Sequence, residues 1–185
     1  MTKNFVLTIL ILNFTILSSF GQAKNNYLLW SNHYKLTAED FFIKTKQLET
    51  TPSFAQFSID YQVSGFDFLT KNFNKKVRNS FIRSASWIDT TIDFSLSLKY
   101  QQTLFDICEI YARQFRKALK ENRKKIIKGT AVAQQLNNQY LTEFAKRRIS
   151  YDRATKFGSD LNLQKEWEIQ ILQELTELAK YSYDY

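Results

Sequence analysis

Residues 95–119, SLSLKYQQTLFDICEIYARQFRKAL, form the stretch that decides the fold of this chain. Apolar side chains recur there every three or four residues, which is the period of one face of a helix. They are Leu104, Ile107, Tyr111, Phe115 and Leu119. Cys108 lies beside this stripe and is predicted to be a small buried residue. The basic residues of this segment and of the few residues after it are predicted to form an exposed polar face: Arg113, Arg116, Lys117, Lys120, Arg123 and Lys124.

Two more helices are predicted after this one. Gly129 ends the first helical segment, and Thr130 is placed to cap the second. The second helix carries the stripe Val132, Leu136, Tyr140 and Phe144, and it should end before Gly158. Asn162 is the predicted cap of a third helix, whose stripe is Trp167, Ile171, Leu175 and Leu178.

Before the long helix the apolar period changes to two, which is typical of half-buried strands. Residues 54–68 alternate, with one face made of Ala55, Phe57, Ile59, Tyr61 and Val63. Further strands are predicted at residues 27–30 and 76–87, a helical turn after Thr37, and a polar loop at residues 43–52. The sequence therefore predicts an α+β fold, with a small N-terminal antiparallel sheet followed by three long helices.

The first 23 residues have the layout of a signal peptide, because Lys3 precedes an apolar run that ends in small residues up to Ala23. The run is too short to span a bilayer comfortably. We therefore expect an exported protein, periplasmic or extracellular and not integral to the membrane, with one domain over residues 24–185. The net charge of +8 favours contact with anionic surfaces.

One histidine and one cysteine limit the chemistry that this chain can perform. His33 is the single histidine, so a zinc site with two or three imidazole ligands cannot be built. It lies in a loop-like stretch, which favours a surface residue over a catalytic one. Cys108 has no partner for an intramolecular disulfide.

An ordered set of short motifs resembles the secreted zinc-dependent proteases of an uncharacterised bacterial domain family. That family carries L-x-W-x-D-F, then S-W, H-E-Q-x-H-F-D-I and A-R-x-L-R-K, and later Y-D-x-E-T-x-H-G and Q-x-x-W. The matching stretches here are residues 36–41, 86–88, 105–107, 112–117, 151–158 and 164–167. The resemblance implies a zincin-like architecture. It also implies structural roles for the retained residues Asp106, Arg113, Arg116, Tyr151, Asp152, Thr155, Gly158 and Trp167.

The positions that would hold zinc in that family are all replaced. The two histidines of H-E-Q-x-H fall on Tyr100 and Leu104, and the glutamate that would activate water falls on Gln101. In the late motif, Ala154 stands at the acidic position and Phe157 at the third histidine. The resemblance thus implies a degenerate site with no catalytic residue, metal or cofactor. Tyr100, Leu104 and Phe157 should still converge within about 10 Å, as zinc ligands must.

Three functions follow as hypotheses. The first is a non-catalytic protease-like protein that binds an unknown protein or peptide. The second is a hydrolase built on the carboxylates Asp106, Glu109 and Asp152. The third is a binder of an anionic envelope polymer or membrane surface; the predicted signal peptide argues against nucleic acid as its partner. Its basic residues would be Lys117, Lys120, Arg123, Lys124, Lys125, Lys128 and 146–148, with Tyr140 and Phe144 available for stacking.

Overall fold

Strands fill the N-terminal half of the chain and helices fill the C-terminal half, which confirms the predicted α+β class. The computed structural model describes residues 26–45, 51–64, 66–70 and 72–184, so the predicted signal peptide lies outside the described residues. The strands are β1 (Tyr27–Leu29), β2 (Ile43–Thr45), β3 (Ser53–Phe54), β4 (Phe57–Tyr61), β5 (Val77–Ile82) and β6 (Trp87–Asp89).

The main sheet is antiparallel and has the order β1-β5-β4. Its inner face is the one that the alternation predicts, because Ala55, Phe57 and Ile59 are buried while Gln56 and Asp60 are exposed. These apolar side chains meet the first long helix. The buried face of the sheet therefore positions that helix.

A second small sheet, of order β2-β6-β3, differs from the prediction in two ways. Residues 43–45 pair parallel with β6, so the predicted loop at residues 43–52 is wrong at its start. The predicted strand at 76–87 is two strands, broken by a 3-10 turn at Arg83–Ala85. Ser86 fixes this break: its hydroxyl donates to Ile82 O at 2.6 Å and accepts from Gln56 N at 3.0 Å. The turn passes the chain from one sheet to the other.

The helices are α1 (Ser95–Glu121), the single turn α2 (Arg123–Ile126), α3 (Ala131–Thr155) and α4 (Leu161–Glu177), which confirms three long helices. One predicted cap is wrong, and the other has the predicted position. Asn162 lies inside α4, and Asp160 caps it by accepting from Leu163 N at 3.2 Å. Thr130 does precede α3, but its side chain makes no capping hydrogen bond. Within the described residues, none of the helices has the length and apolar character needed to cross a membrane.

Helix α1 lies across the main sheet and forms the centre of the core. Phe105 stacks on Phe57 with ring centroids 5.2 Å apart, and Phe115 meets Tyr61 edge-on at 5.3 Å. The predicted stripe of α1 is buried throughout, together with Cys108. Helices α3 and α4 cover the rest of α1, so its whole length is enclosed except for its ends.

The predicted polar face of α1 is wrong at Arg113 and Arg116, which are both buried. Each is paired with the buried carboxylate of Glu109. Oε1 of Glu109 accepts from Arg113 Nε at 3.0 Å and from Arg116 Nη1 at 2.7 Å. The three residues form a charged cluster inside the core, which we call the Glu109 cluster.

Three backbone carbonyls and one hydroxyl accept further hydrogen bonds from the arginines of the Glu109 cluster. Arg116 donates Nε and Nη2 to Val77 O, at 3.2 and 2.8 Å, and Nη1 to Tyr181 O at 3.0 Å. Arg113 donates Nη1 to Leu175 O at 2.5 Å and Nη2 to Ser182 Oγ at 3.2 Å. The cluster therefore joins the sheet, α1, the end of α4 and the C-terminal segment.

Replacing Glu109 by Gln should lower the free energy of unfolding by about 3 kcal/mol, since two buried guanidinium groups lose their counter-charge. Urea denaturation followed by circular dichroism measures this change. The matched control is Glu121→Gln on the same helix, whose exposed side chain lies 4.0 Å from Lys117. It should cost less than about 0.5 kcal/mol. Equal effects of the two variants would contradict a structural role for the cluster.

Candidate functional site

Tyr100 is the centre of the candidate site and lies buried in the second turn of α1. Its ring stacks on Tyr151 of α3 with centroids 5.2 Å apart and planes 11° apart. The ring of Phe157, just after α3, meets it edge-on at 6.4 Å. Two of the three positions that should converge are therefore in contact. We call Tyr100, Tyr151, Asp152 and Phe157 the aromatic plug.

The hydroxyl of Tyr100 donates a hydrogen bond to Oδ1 of Asp152. Arg148, one turn earlier on α3, holds its Nε 3.9 Å from the other carboxylate oxygen. Burial, together with the Asp152 carboxylate, raises the pKa of Tyr100, so the phenol stays protonated. Burial also raises the pKa of Asp152, although the Tyr100 hydroxyl and Arg148 act in the opposite direction. The pair is thus a neutral donor held on a carboxylate.

Gln101 and Leu104 are the other two α1 positions to which the resemblance assigns site residues. Gln101 is buried and donates Nε2 to Ser53 Oγ at 2.9 Å, which ties α1 to β3. Its Oε1 is buried without a hydrogen-bond partner in the described part of the chain. Leu104 is fully buried in the core. An amide and an aliphatic side chain thus stand where a general base and a ligand would be needed.

The turn after α3 brings Phe157 and Gly158 against Tyr100. Lys156, Phe157 and Gly158 all have positive φ, at 49°, 56° and 84°. Phe157 N donates to Asp152 O at 2.9 Å, and Gly158 N donates to Thr155 Oγ1 at 3.1 Å. Left-handed backbone at a bulky residue such as Phe157 is strained. The packing against α1 therefore has to maintain this turn.

Gly158 is required at its position for two reasons. Its φ of 84° disfavours any side chain, and an added Cβ would lie 2.7 Å from Tyr100 Cβ. Because residue 158 has no side chain, the backbone at Gly158 can lie close to Tyr100 in the N-terminal part of α1. Ala154, at the family's acidic position, is half-buried on the last turn of α3.

A second layer of hydrogen bonds supports the aromatic plug. Tyr151 donates its hydroxyl to Gln164 Oε1 at 2.6 Å, and Gln164 Nε2 donates to Thr103 Oγ1 at 3.1 Å. The Trp167 ring lies 5.3 Å from that of Tyr151, and Thr155 donates Oγ1 to Tyr151 O at 2.8 Å. Sequence reasoning named most of these residues but not Thr103, whose only signal is its polar character within the buried helix.

The three acids proposed for a carboxylate site have separate partners. Asp106 accepts from Trp30 Nε1 at 2.7 Å and from Gln102 Nε2 at 2.9 Å, and burial raises its pKa. Glu109 lies in its cluster with the two arginines, and Asp152 accepts from Tyr100. Trp30 and Gln102 were not anticipated. The spacing of four between Gln102 and Asp106 was a usable signal, whereas nothing near Trp30 in sequence pointed to it.

A cleft of about 370 Å³ runs beside Asp106, between α1, α4 and the segment before Leu36. Its charged and polar lining residues include Lys35, Lys99, Gln102, Asp106 and Glu168. Cations and acids alternate in it, with Lys35 3.9 Å from Asp106 and Lys99 3.7 Å from Glu168. The cleft thus offers a mixed polar surface next to the plug. Residues 26–45, 51–64, 66–70 and 72–184 hold no group of three or more His, Cys, Asp or Glu side chains able to bind a metal.

Several residues of the predicted basic binding face are buried or already paired within the protein. Phe144 is buried and is not available for stacking on a ligand. Arg147 binds Glu174 through two hydrogen bonds, at 2.5 and 2.6 Å, and Arg148 donates to Ala55 O at 3.2 Å. The lysines and arginine around α2 and Lys146 remain exposed. His33 is exposed in a turn, as expected.

Comparison of the chain with family models, with curated proteins and with solved structures found no match.

Gly158→Ala should destabilise the protein by about 2–4 kcal/mol, because it adds left-handed strain and a clash with Tyr100. Thermal and urea unfolding measure the change. The matched control is Gly129→Ala, where an added Cβ would meet nothing within 4 Å. That variant should be neutral or stabilising by up to about 1 kcal/mol. Similar losses in both would argue against the tight approach at Gly158.

Tyr100→Phe should cost about 1–3 kcal/mol at neutral pH, since the half-buried carboxylate of Asp152 loses its donor. The hydroxyl lowers the pKa of Asp152, so its removal should raise that pKa further. The stability difference should therefore be present above the pH at which Asp152 ionises and should shrink as the pH falls through it. Unfolding free energies measured across acid to neutral pH check this, with Asp152→Asn completing a double-mutant cycle. A pH-independent difference would contradict the hydrogen bond.

Proposed function

We propose that this chain is a non-catalytic protein with the architecture of a secreted zinc protease, in which the metal site has been replaced by the aromatic plug. The observation that carries the proposal is the packing of Tyr100 between Tyr151 and Phe157, with its hydroxyl on Asp152. The resemblance assigns zinc-binding histidines to two of these positions. The same positions are filled here by two aromatic rings in contact.

The geometry around position 100 suits a former metal ligand. Zinc-binding histidines almost always donate their second ring N–H to a carboxylate or carbonyl, which orients them. Asp152 accepts from the side chain at position 100 in just this way. Gly158, which presses on Tyr100 Cβ, keeps position 157 close to α1. These features support the family assignment because they join parts of the chain that lie far apart in sequence.

The side chains present do not fit zinc. Gln101 offers an amide, Leu104 and Phe157 offer no ligand atom, and the single phenol oxygen of Tyr100 is occupied by Asp152. Gln101 also cannot take a proton from water at neutral pH. We therefore assign the protein a binding or scaffold role toward a protein or peptide. The mixed polar cleft beside Asp106 is the surface next to the plug that is available for such a partner.

A hydrolase built on the three carboxylates is less well supported. Glu109 is enclosed with two arginines, and Asp106 and Asp152 are bound to different donors. Paired carboxylates for acid–base chemistry need to face one reacting group together. The separate hydrogen-bond partners of these acids favour structural roles.

The decisive experiment combines metal analysis with restoration of the ligands. The purified chain should contain far less than one zinc per molecule after equilibration with zinc and desalting. The variant Tyr100→His/Leu104→His/Phe157→His should bind one zinc, with a melting temperature that rises on zinc addition, because bound metal stabilises the folded state. Stoichiometric zinc in the unaltered chain would contradict the proposal directly.

The matched control is the double variant Tyr100→His/Leu104→His, which keeps Phe157 and lacks a third ligand. Its zinc affinity should be weaker by at least about tenfold, since structural and catalytic zinc sites need three or four protein ligands. A triple variant that folds, by circular dichroism, and binds zinc no better than the double variant would contradict the protease-like arrangement. In that case the zinc content of the unaltered chain would remain a separate test of the proposal that this chain binds no zinc.

A further inference from the structure

The most exposed large apolar side chains of the described residues are Phe66 and Leu69, at 83% and 85%. Phe66 directly precedes the short 3-10 turn Asp67–Leu69, which follows β4, and Leu69 is the last residue of that turn. We call these two side chains the apolar tip. Single exposed apolar side chains are ordinary on protein surfaces, so the meaning of this pair depends on the groups that surround it.

Hydrogen bonds and an ion pair of Asp67 hold the turn that carries the apolar tip. Asp67 Oδ2 accepts from Ser64 N and Oγ at 2.6 and 2.8 Å, and Lys76 lies 2.9 Å from its other oxygen. These partners lower the pKa of Asp67 to about 2, so the carboxylate is ionised and holds them. Phe68 stacks inward on Phe73 at 4.8 Å. One aromatic side chain is thus anchored, while its neighbour Phe66 and Leu69 point outward.

A ring of cations surrounds the same end of the molecule, and we call Lys75, Lys76, Lys120 and Lys180 the basic rim. Lys120 Nζ lies 5.4 Å from the Phe73 ring and 5.6 Å from the Tyr181 ring, and Lys180 Nζ lies 5.1 Å from Tyr181. Asn74, beside Lys75, donates to Lys180 O at 3.1 Å. The rim is therefore tied by contacts to Phe73, on which the tip is mounted.

Further cations extend this basic surface. Arg78 lines a concavity of about 350 Å³ with Lys75 and Lys76, in which Asp60 also lies. Just beyond Lys120, the chain continues through four more exposed cations: Arg123, Lys124, Lys125 and Lys128. Lys76 is partly neutralised by Asp67, but the other members of the rim leave a clear positive excess.

We infer that this end of the protein docks on an anionic phospholipid bilayer, with Phe66 and Leu69 entering the headgroup region and the basic rim lying over the lipid phosphates. Interfacial binding combines buried apolar area with attraction of Lys and Arg to anionic lipids, and this surface offers both. The inference does not depend on the state of the former zinc site.

Other occupants use only part of this surface. A soluble anionic polymer would pair with the cations and leave Phe66 and Leu69 in water. A folded protein partner would need a continuous apolar patch with a polar border, whereas the tip is two separate side chains on one turn. A bilayer interface accepts isolated apolar side chains and spreads its negative charge over the whole rim.

The test is co-sedimentation of the full chain with vesicles of phosphatidylcholine, with and without phosphatidylglycerol. Binding should require phosphatidylglycerol and should weaken with added salt. Phe66→Ser/Leu69→Ser should lower the partition coefficient at least about tenfold, since each side chain leaves water on binding. Lys75→Gln/Lys180→Gln should lower it by about 25-fold, at roughly fivefold per cation.

Matched controls use residues on α3 and α4. Ile169→Ser/Leu172→Ser removes two apolar side chains that are 61% and 66% exposed, and Lys146→Gln/Lys165→Gln removes two exposed cations. Both should change binding less than about threefold, because neither pair belongs to the tip or the rim. All variants share the same N terminus, so any contribution of the segment before residue 26 cancels in the comparison.

Three outcomes would overturn the inference. One is equal binding to vesicles without phosphatidylglycerol. Another is an equal loss in the tip variant and in its α4 control. The third is binding to soluble dextran sulfate that is as tight as vesicle binding and unaffected by Phe66→Ser/Leu69→Ser, which would identify a polymer as the partner. Circular dichroism melts confirm that each variant is folded before binding is compared.

Discussion

The arrangement of this molecule depends on one interaction, the ion pairing of the Glu109 carboxylate with Arg113 and Arg116. The carboxylate is buried and holds two buried guanidinium groups. Desolvating such groups is costly, and the cost is offset only where every donor finds an acceptor. The acceptors here are backbone carbonyls of Val77, Leu175 and Tyr181. A backbone carbonyl cannot move without its whole element, so the cluster fixes the sheet, α4 and the C-terminal segment around α1.

This anchoring explains how the aromatic plug is held at the other end of α1. The helix is fixed at Glu109 and on Phe57 through Phe105, so the turn that carries Tyr100 projects toward α3 in a defined direction. The strained residues 156–158 are retained against it because Gly158 leaves room for the Tyr100 side chain. A void at this point would be unfavourable in a close-packed interior. The buried side chains of Tyr100 and Leu104 occupy this space, and the ring of Phe157 meets Tyr100 edge-on at 6.4 Å.

Much of this fold could be predicted from the sequence, because periodicity reports which face of an element is apolar. The alternation at Ala55, Phe57 and Ile59 and the stripe of α1 identified the inner faces correctly. The same reasoning wrongly placed Arg113 and Arg116 on the exposed face, because it treats every charged side chain as exposed. It takes no account of a carboxylate on the same face of the helix that could pair with them. Glu109, four residues before Arg113 and seven before Arg116, was the available signal. The parallel pairing of residues 43–45 with β6 had no local signal, because it depends on a turn at Ser86 that moves the chain between sheets.

The candidate site was likewise predicted only in part from the sequence. Contact between positions 100 and 157 was expected from the resemblance, and the spacing of Gln102 and Asp106 pointed to their hydrogen bond. The Trp30 donor and the support from Thr103 could only come from tertiary structure. The two surfaces of functional interest are also separate in space. Tyr100 and Lys120 are twenty residues apart on one helix, which corresponds to about 30 Å. Glu109 lies between them on the same helix. The two surfaces can therefore be altered by substitution one at a time, and the proposed contact with an anionic surface does not depend on the proposed replacement of a metal site.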